Sequence, residues 1–533
     1  MAEREQMAGL YPDPADPEFA ARLYTKREFY EARAIAASVA DGTTDPCSSK
    51  EAQRVFELTP VQRIVSRFIH PATPYMGMLL YHGVGVGKTC SAVTIAEQFL
   101  ESAPSTQIII IAPQAIQDNF KRTIFDPEKL TWDEGAGQWT SAQCTGTTYL
   151  DRLGLLTDRE AFATGGSGPR KVIAERQAHY KIIGYQAFAN FIERSLRDSV
   201  PASLVEGRQE AEDEVLRRLF SNKLIIIDEA HNLRDLASGE SDALTSAEAA
   251  ENAGGKALNP FLKRIVLNAE GLRLVLMTAT PMYNSAPEII LLLSFLYMND
   301  HKKRASELRP STYFTADGDL KPEKAHILEK LARRYVSYMR GENPYTFPLR
   351  MKPEESGGAS AAWADAVSAT KAPIDLTMTD EATLDSLPIV LTEPVTGSVV
   401  ETALREATGV DGESGAMLDV RMQIANITYP DSSYGTAGWE TYFTPTTDSS
   451  TGNKLRRFTP TSDVDAVFGE GLRTYGPKIH RIVESVSRAQ GISFVYTRYV
   501  RAGLLPLAAA LERAGFQRCI KDGQKLSLLT GVE

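Results

Sequence analysis

The sequence is poor in cysteine and has no long hydrophobic run. Its 533 residues include four cysteines and no CxxC pair; the four are Cys47, Cys90, Cys144 and Cys519. This spacing predicts a reducing compartment, with neither disulfides nor a zinc site, and Cys90 as a small buried residue. The longest apolar stretch, residues 289–298, is about half of what a membrane-spanning helix needs. The N-terminus has no apolar signal region, so we expect a soluble, intracellular protein without a membrane partner.

The chain also lacks an excess of basic residues. Lys and Arg number 58 against 68 Asp and Glu, which gives a formal net charge of −10. The deficit is concentrated in residues 353–453, which contain sixteen acidic and three basic residues and leave the remainder at +3. Because nucleic-acid binding depends on a local basic groove and not on total charge, the composition leaves a nucleic-acid partner open.

The strongest local signal is a glycine-rich turn between an apolar run and a helical pattern. Residues 78–81 predict a short buried strand, and residues 89–100 have helical spacing. Glycines free the backbone of the turn, so that successive N–H groups can surround phosphate oxygens. We expect Lys88 to reach the β- and γ-phosphates and the Thr89 hydroxyl to bind Mg²⁺. The candidate nucleotide-binding residues are Gly83, Gly85, Val86, Gly87, Lys88 and Thr89. A glycine turn beside a surface lysine is the alternative, and His82 stands where the strict pattern has glycine or alanine.

A second apolar run ends in two carboxylates. Leu224-Ile-Ile-Ile-Asp-Glu shows no alternation, which is typical of a central parallel strand covered on both faces. Ligands bind at the carboxyl ends of such strands. We expect Asp228 to hold Mg²⁺ through water and Glu229 to polarise the attacking water. Either carboxylate alone is common in solvated loops, but together with the glycine turn the pair predicts an ATP site. Its catalytic candidates are Lys88, Asp228 and Glu229.

Other residues near these motifs are candidates for binding or coupling. Gln62 precedes the glycine turn and could read an adenine edge, because its amide both donates and accepts; a surface helix residue is the alternative. Thr278 and Thr280 end another apolar run and could hydrogen-bond the Asp–Glu pair, which would couple the ATP state to a neighbouring domain, or could cap the strand. The helix after the apolar run at 107–112 could meet a nucleic-acid backbone or form a solvated face through Asn119, Lys121 and Arg122.

Strands alternate with helices along the chain, which predicts an α/β fold with a parallel sheet wound by helices. Helices are also expected around residues 20–37, from Pro60 onward and over 504–514, and a strand over 491–497. The predicted regions are an N-terminal extension (1–54), a first ATPase lobe (55–300), a helical connector (301–352), an acidic and partly flexible insertion (353–470) and the beginning of a second lobe (471–533).

The order of these motifs resembles that of superfamily 2 helicases and translocases. It runs from a glutamine before the P-loop through Gly-Val-Gly-Lys-Thr89, a strand ending in Ala-Pro113 and Asp-Glu-Ala-His231 to Thr-Ala-Thr-Pro281. The chain is more closely similar to the DEAH-box helicase-like ATPases of large nucleocytoplasmic DNA viruses. That group includes the small subunit of the poxvirus early transcription factor and nucleoside triphosphatase I, and is related to Swi/Snf translocases.

This resemblance implies two RecA-like lobes with ATP and Mg²⁺ between them, and movement along DNA or RNA driven by lobe closure. The family's Gln…Gly-Arg-x-x-Arg helix, which supplies arginine fingers, has no counterpart before Glu533. We therefore expect the second lobe to be incomplete in this chain, with the missing part supplied by further residues or by a partner, and hydrolysis by the chain alone to be weak.

Two functions follow from the resemblance. The first is an ATP-dependent helicase or translocase in viral transcription or replication. The alternative is an ATP-gated transcription-factor subunit that binds nucleic acid without unwinding it, with the viral RNA polymerase or a second transcription-factor subunit as partner. A small-molecule kinase with a P-loop would lack the Asp-Glu-Ala-His and Thr-Ala-Thr pairing. The expected location is the virion or the host cytoplasm or nucleus.

Overall fold

The structure, a computed structural model, describes most of the chain. The described residues are 9–31, 58–163, 166–233, 246–282, 285–305, 308–339, 399–408, 415–448, 455–461, 463–519 and 526–530. They fall into two compact units. The N-terminal unit comprises Met1–Leu236 and Ala247–Phe347, and the C-terminal unit comprises Ala237–Ser246 and Pro348–Glu533.

The N-terminal unit is built on a parallel sheet. Its strands are β1 (Gly77–His82), β2 (Ile108–Ile111), β3 (Leu130–Asp133), β4 (Gln138–Ser141), β5 (Tyr180–Ile183), β6 (Leu224–Asp228), β7 (Arg273–Thr278) and β8 (Val336–Met339). Six of them form one sheet in the order β5-β2-β6-β7-β1-β8, and all neighbours are parallel. Strands β3 and β4 form a separate antiparallel hairpin. This topology confirms the predicted α/β class.

Helices cover the sheet on both faces. They are α1 (Phe19–Leu23), α2 (Pro60–Phe68), α3 (Lys88–Ser102), α4 (Gln114–Ile124), α5 (Thr148–Arg152), α6 (Gly168–His179), α7 (Tyr185–Ser199), α8 (Arg208–Phe220), α9 (Ser246–Asn268), α10 (Ile289–His301), α11 (Pro310–Tyr313) and α12 (Pro322–Tyr335). Short 3₁₀ turns lie at Pro127–Lys129, Glu160–Phe162, Ala230–Leu233 and Ala286–Glu288.

The apolar run of β6 explains its central place in the sheet. Leu224 and Ile226 belong to one hydrophobic cluster, which includes residues of α2, α3 and α4. Ile225 and Ile227 point the other way, into a cluster with residues of α7, α8, α9 and α10. Because successive side chains alternate between faces, a strand buried on both sides needs four consecutive apolar residues.

The C-terminal unit is smaller. It contains α13 (Val399–Thr408), α14 (Gly415–Asn426), α15 (Gly435–Tyr442), β9 (Phe443–Asp448), β10 (Leu455–Pro460), α16 (Asp465–Phe468), α17 (Leu472–Tyr475), α18 (Pro477–Arg488), a π turn (Val500–Leu504) and α19 (Leu505–Arg513). Strands β9 and β10 are antiparallel. Its main hydrophobic cluster surrounds the buried Trp439 and includes side chains from both sides of residue 470, such as Phe458 and Ile479.

Three expectations for local structure are wrong. Residues 336–339, expected in a helical region, form the edge strand β8, because they pair in register with β1. Residues 491–497 are not a strand, since nothing in the described part of the chain pairs with them, and the side chains of Ile492, Phe494 and Tyr496 are exposed. The helix expected over 20–37 is interrupted at residues 24–26, between α1 and a further helical turn at 27–31, and beyond residue 31 the prediction lies outside the described residues. The predicted flexible part of the insertion lies outside them as well.

Other predicted helices are confirmed: α2 starts at Pro60 and α19 occupies Leu505–Arg513. A capping box at Thr59 and Gln62 satisfies the first N–H groups of α2. Among the helices with described residues, none is long and apolar enough to cross a membrane.

Candidate nucleotide-binding site

Three strands deliver the candidate residues to one edge of the sheet. Because β1, β7 and β6 are parallel neighbours, their carboxyl ends meet there. The register pairs Tyr81 of β1 with Thr278 of β7, and Met277 of β7 with Asp228 of β6. The glycine loop follows β1, and Glu229 follows β6. Lys88 of the glycine loop and Asp228 are 140 residues apart in sequence. The sheet edge therefore brings the glycine loop and the two carboxylates into one region.

The glycine loop has the backbone conformation that its sequence requires. Gly85 and Gly87 have φ angles of 81° and 82°, in the left-handed region that favours glycine. Helix α3 begins at the next residue, Lys88, so its first N–H groups face the loop without intrahelical acceptors. A loop and helix terminus of this kind form an anion site. The loop is also attached to the sheet edge, because Gly83 N donates to the carbonyl of Met339 at 3.0 Å.

The Lys88 amine turns back into the loop. Its Nζ donates to the carbonyl oxygens of His82 at 2.9 Å and Gly83 at 3.1 Å. The pKa of Lys88 is lowered, because the effect of burial is larger than the opposing effect of the carboxylates of Glu229 and Asp228. Phosphate oxygens of a bound nucleotide could replace these two carbonyl oxygens as acceptors for the amine. The loop and its lysine thus fit a nucleotide phosphate chain.

Gln62 contacts the loop from α2. Its side-chain oxygen accepts from Thr59 N at 2.9 Å, and its Nε2 is 3.4 Å from the carbonyl oxygen of Gly87. The residue is buried. A Cβ atom at Gly87 would lie 2.7 Å from this Nε2, so the two residues are closely fitted. Gln62 is therefore not a surface residue, and its amide is placed beside the predicted phosphate loop.

Asp228 and Glu229 form the acidic part of the site. Burial, together with the neighbouring charge of Glu229, raises the pKa of Asp228 to about 7, although the Glu229 N–H (2.9 Å from Oδ1) and Lys88 oppose the shift. Burial also raises the pKa of Glu229, and Lys88 lowers it. Glu229 has a φ of 51°, which is uncommon for a residue other than glycine. A buried carboxylate beside a hydroxyl-bearing loop is a donor set that suits Mg²⁺.

A contact that the sequence reasoning did not identify connects these carboxylates with β7. His231 Nδ1 lies 3.4 Å from Oε2 of Glu229 and 3.0 Å from Oγ1 of Thr278. The N–H of Thr280 donates to the same Thr278 hydroxyl at 3.0 Å. We expected the two threonines to bond the Asp–Glu pair themselves, and the structure instead places the His231 ring between Thr278 and Glu229.

Three more residues support the site and were not predicted as members of it. The Tyr185 hydroxyl donates to the carbonyl oxygens of Asp228 at 2.6 Å and Glu229 at 3.0 Å. Asn119 Nδ2 is 3.4 Å from Thr89 Oγ1, so Asn119 lies at the nucleotide site although its helix was considered for nucleic acid.

The third residue is His82. Burial, with a smaller effect of Lys88, lowers the pKa of His82 to about 4, and its Nε2 is 2.9 Å from the Ser337 hydroxyl. Strand spacing in the sequence does not reveal such contacts between distant elements.

The expectation of no disulfide is wrong. Cys90, in the first turn of α3, is bonded to Cys144, and their Cα atoms are 5.7 Å apart. The pair is separated by 54 residues, so only the tertiary fold could bring the two sulfurs together. Cys90 is buried, as predicted.

The site lies within a region that matches known proteins. Residues 56–282 match the model of a family described as Type III restriction enzyme, res subunit, and this span contains every candidate residue from Gln62 to Thr280. The putative ATP-dependent RNA helicase L377 of Acanthamoeba polyphaga mimivirus is 29% identical over 64% of this chain and 28% of its own length. Helicase R563 of the same virus, also putative by name, is 23% identical over 86% of this chain and 63% of its own.

Other matches carry different names. An early transcription factor large subunit homolog of African swine fever virus is 24% identical over 55% of this chain and 29% of its own length. The solved SWI2/SNF2 ATPase core of Sulfolobus solfataricus, in complex with dsDNA, aligns with 70% of this chain and 59% of its own at 14% identity and a TM-score of 0.29. The chain spans 28% and 63% of the two helicase relatives. Residues 56–282 are thus similar to the Type III restriction enzyme res subunit family, and the chain is similar to proteins named as putative ATP-dependent RNA helicases of Acanthamoeba polyphaga mimivirus.

Proposed function

We propose that the chain is an ATP-hydrolysing motor that acts on nucleic acid, as a helicase or translocase in viral transcription or replication. The observation that carries this proposal is the arrangement at one sheet edge, where the Lys88 amine lies in the glycine loop and interacts electrostatically with Asp228 and Glu229. The family match over this region supports it.

The proposed roles follow from the chemistry of each group. The N–H groups of the glycine loop and the Lys88 amine would bind the phosphates, and Thr89 with Asp228 would hold Mg²⁺. Mg²⁺, when bound, offsets the negative charge on the phosphates. Glu229 would orient the attacking water and accept its proton, since burial raises its pKa towards that of a useful general base. Gln62 is proposed to contact the adenine.

The contact from Glu229 through His231 to Thr278 supports a role in coupling. A change in the charge or position of Glu229 during hydrolysis would alter the hydrogen bond that His231 makes with Thr278. Thr280 shares that hydroxyl and would move with it. We propose that this set of residues transmits the nucleotide state to a second RecA-like lobe, of which residues 471–533 would be the beginning.

DNA or RNA is the proposed partner, because the relatives are named as helicases. A second candidate function is the ATP-gated transcription-factor subunit. It is favoured by the match to an early transcription factor homolog. That homolog is named as a large subunit, whereas the sequence resemblance pointed to the small subunit of the poxvirus factor. In that case the partner would be the viral RNA polymerase or another transcription-factor subunit.

The test is ATP turnover by the chain with no nucleic acid, with DNA and with RNA. We expect turnover by this chain that is weak without nucleic acid, that nucleic acid stimulates, and that both Lys88→Ala and Glu229→Gln abolish. The matched controls are Lys129→Ala and Glu270→Gln, two exposed residues; Glu270 precedes β7, at the end of that strand opposite to Thr278, and both variants should retain wild-type turnover. Strand displacement in the same reactions would favour the helicase, and stimulated turnover without displacement would favour a translocase or the gated subunit. Turnover that survives Lys88→Ala would contradict the proposal.

A further inference from the structure

The Cys90–Cys144 disulfide connects the proposed nucleotide site to a neighbouring loop. Cys90 directly follows Thr89 and is the third residue of α3. Cys144 lies between β4 and α5 and is half-buried. The bond therefore attaches the first turn of α3, whose N–H groups face the glycine loop, to the segment 142–147.

The segment on the other side of the bond is itself fixed. The side-chain oxygen of Gln143 accepts from Asp126 N at 2.8 Å, and the Thr145 hydroxyl donates to the carbonyl of Ile124 at 2.8 Å. Both Gln143 and Thr145 are buried. Ile124 is the last residue of α4, so the two residues flanking Cys144 are attached to the end of that helix.

Helix α4 reaches the same turn of α3 by a second contact. Asn119 Nδ2 is 3.4 Å from the Thr89 hydroxyl, which is a long and therefore weak hydrogen bond. The disulfide is the only side-chain cross-link between α3 and the segment 142–147 among the described residues, and hydrogen bonds continue the connection from that segment to the end of α4. The other side-chain hydrogen bonds that hold this turn include the Gln62 contact to Gly87 and the two bonds from Lys88 Nζ to the carbonyl oxygens of His82 and Gly83, which a bound phosphate would compete for.

We propose that Cys90 and Cys144 are a redox modification site whose disulfide form binds nucleotide more tightly than the dithiol form. The reason is preorganisation, because a covalent link removes conformations in which the first turn of α3 is frayed and its N–H groups point away from a phosphate. The proposal rests on the proposed function, since its consequence is measured as ATP binding at the glycine loop.

A low-molecular-weight disulfide such as oxidised glutathione is the co-reactant. The thiolate of the more accessible Cys144 attacks one glutathione sulfur, forms a mixed disulfide and releases one glutathione thiolate. The Cys90 thiolate then attacks the Cys144 sulfur and releases the second glutathione thiolate. Two protein thiols are oxidised, one glutathione disulfide is reduced to two glutathiones, and the protons of the protein thiols end on the products. Reduction runs through the same steps in reverse.

The experiment uses the full chain with Cys47→Ser and Cys519→Ser, which leaves one cysteine pair. The protein is equilibrated with reduced or oxidised glutathione, and a non-reducing digest is analysed by mass spectrometry for the peptide that links residues 90 and 144. The dissociation constant of a fluorescent ATP analogue with Mg²⁺ is measured in both states. The same measurements are made with Cys144→Ser added, a change that leaves the α3 turn itself untouched.

We expect the linked peptide in the oxidised sample and a dissociation constant at least threefold lower than in the reduced sample. The Cys144→Ser variant should match the reduced protein under both conditions. Failure of oxidised glutathione to form the linked peptide would overturn the modification site. A linked peptide with equal or weaker ATP binding would overturn the effect on affinity and leave the proposed function intact. ATP binding in neither state would overturn the proposed function and the effect on affinity together.

Discussion

The buried carboxylate of Asp228 is expected to lower the stability of the fold in return for its function. The perturbation is Asp228→Asn, which keeps the size of the side chain and an oxygen that can accept from Glu229 N. It removes the charge, together with the proposed Mg²⁺ ligand. A group needed only for function is expected to leave the protein more stable when it is replaced by a neutral residue of the same shape.

The magnitude follows from the shift in pKa. The pKa of Asp228 rises from 3.8 to about 7 on folding, which is about three pH units at about 1.4 kcal/mol each, so the charge costs up to about 4 kcal/mol above pH 7. The native state binds this proton more tightly than the unfolded state. The free energy of unfolding therefore falls as pH rises from about 4 to 7, and the loss is complete above pH 7.

The assay is urea unfolding of wild type and Asp228→Asn at pH 5 and pH 8, without nucleotide or Mg²⁺. The shift to about 7 already includes the opposing effect of Lys88, so we expect the variant to be more stable by up to about 4 kcal/mol at pH 8 and by much less at pH 5. The control is Asp317→Asn, which makes the same substitution at an exposed position outside the site. A variant that is less stable than wild type at pH 8, or a difference that is equal at both pH values, would refute the reasoning.

Two other substitutions test the fit of the glycine loop against Gln62 and the ion pair between Asp300 and Arg334. Gly87→Ala should weaken ATP binding at least tenfold, because the φ of Gly87 is 82° and the new Cβ would lie 2.7 Å from Gln62 Nε2. The control is Gly137→Ala, where φ is 63° and no atom lies within 4 Å of the new Cβ; it should leave ATP binding unchanged. Asp300→Asn should lower the free energy of unfolding by about 2–4 kcal/mol, measured in urea, because it leaves the partly buried Arg334 without the carboxylate at 2.6 Å. Unchanged stability in that variant would show that this ion pair contributes little.

The central sheet could be predicted from the sequence because its strands are signalled locally. Runs such as residues 224–227 need burial on both faces, and only a central parallel strand provides it. The glycine loop was equally visible, since Gly85 and Gly87 occupy left-handed conformations that other residues rarely adopt. Both signals depend on neighbouring residues alone.

What could not be predicted depends on contacts between distant segments. Strand β8 is four residues long and only its pairing with β1 makes it a strand. The apolar alternation at 491–497 suggested a strand, yet a strand also needs a neighbour, and the residues described here supply none. The Cys90–Cys144 bond likewise joins two segments that are distant in sequence, and no local sequence pattern predicts that they lie close together. His231 was visible in the sequence, but its place between Glu229 and Thr278 depends on the register of β6 and β7.

The Lys88 amine is the group on which the account depends most. Equilibrium binding of a fluorescent ATP analogue with Mg²⁺ tests it, using wild type, Lys88→Ala and Glu229→Gln. Each charge-assisted hydrogen bond from the amine contributes roughly 1.5–3 kcal/mol, so we expect Lys88→Ala to weaken binding by at least about tenfold. Glu229→Gln should bind ATP about as tightly as wild type, because its proposed role is in hydrolysis. Binding by Lys88→Ala as tight as that of wild type would contradict the account, since the nucleotide would then lie elsewhere.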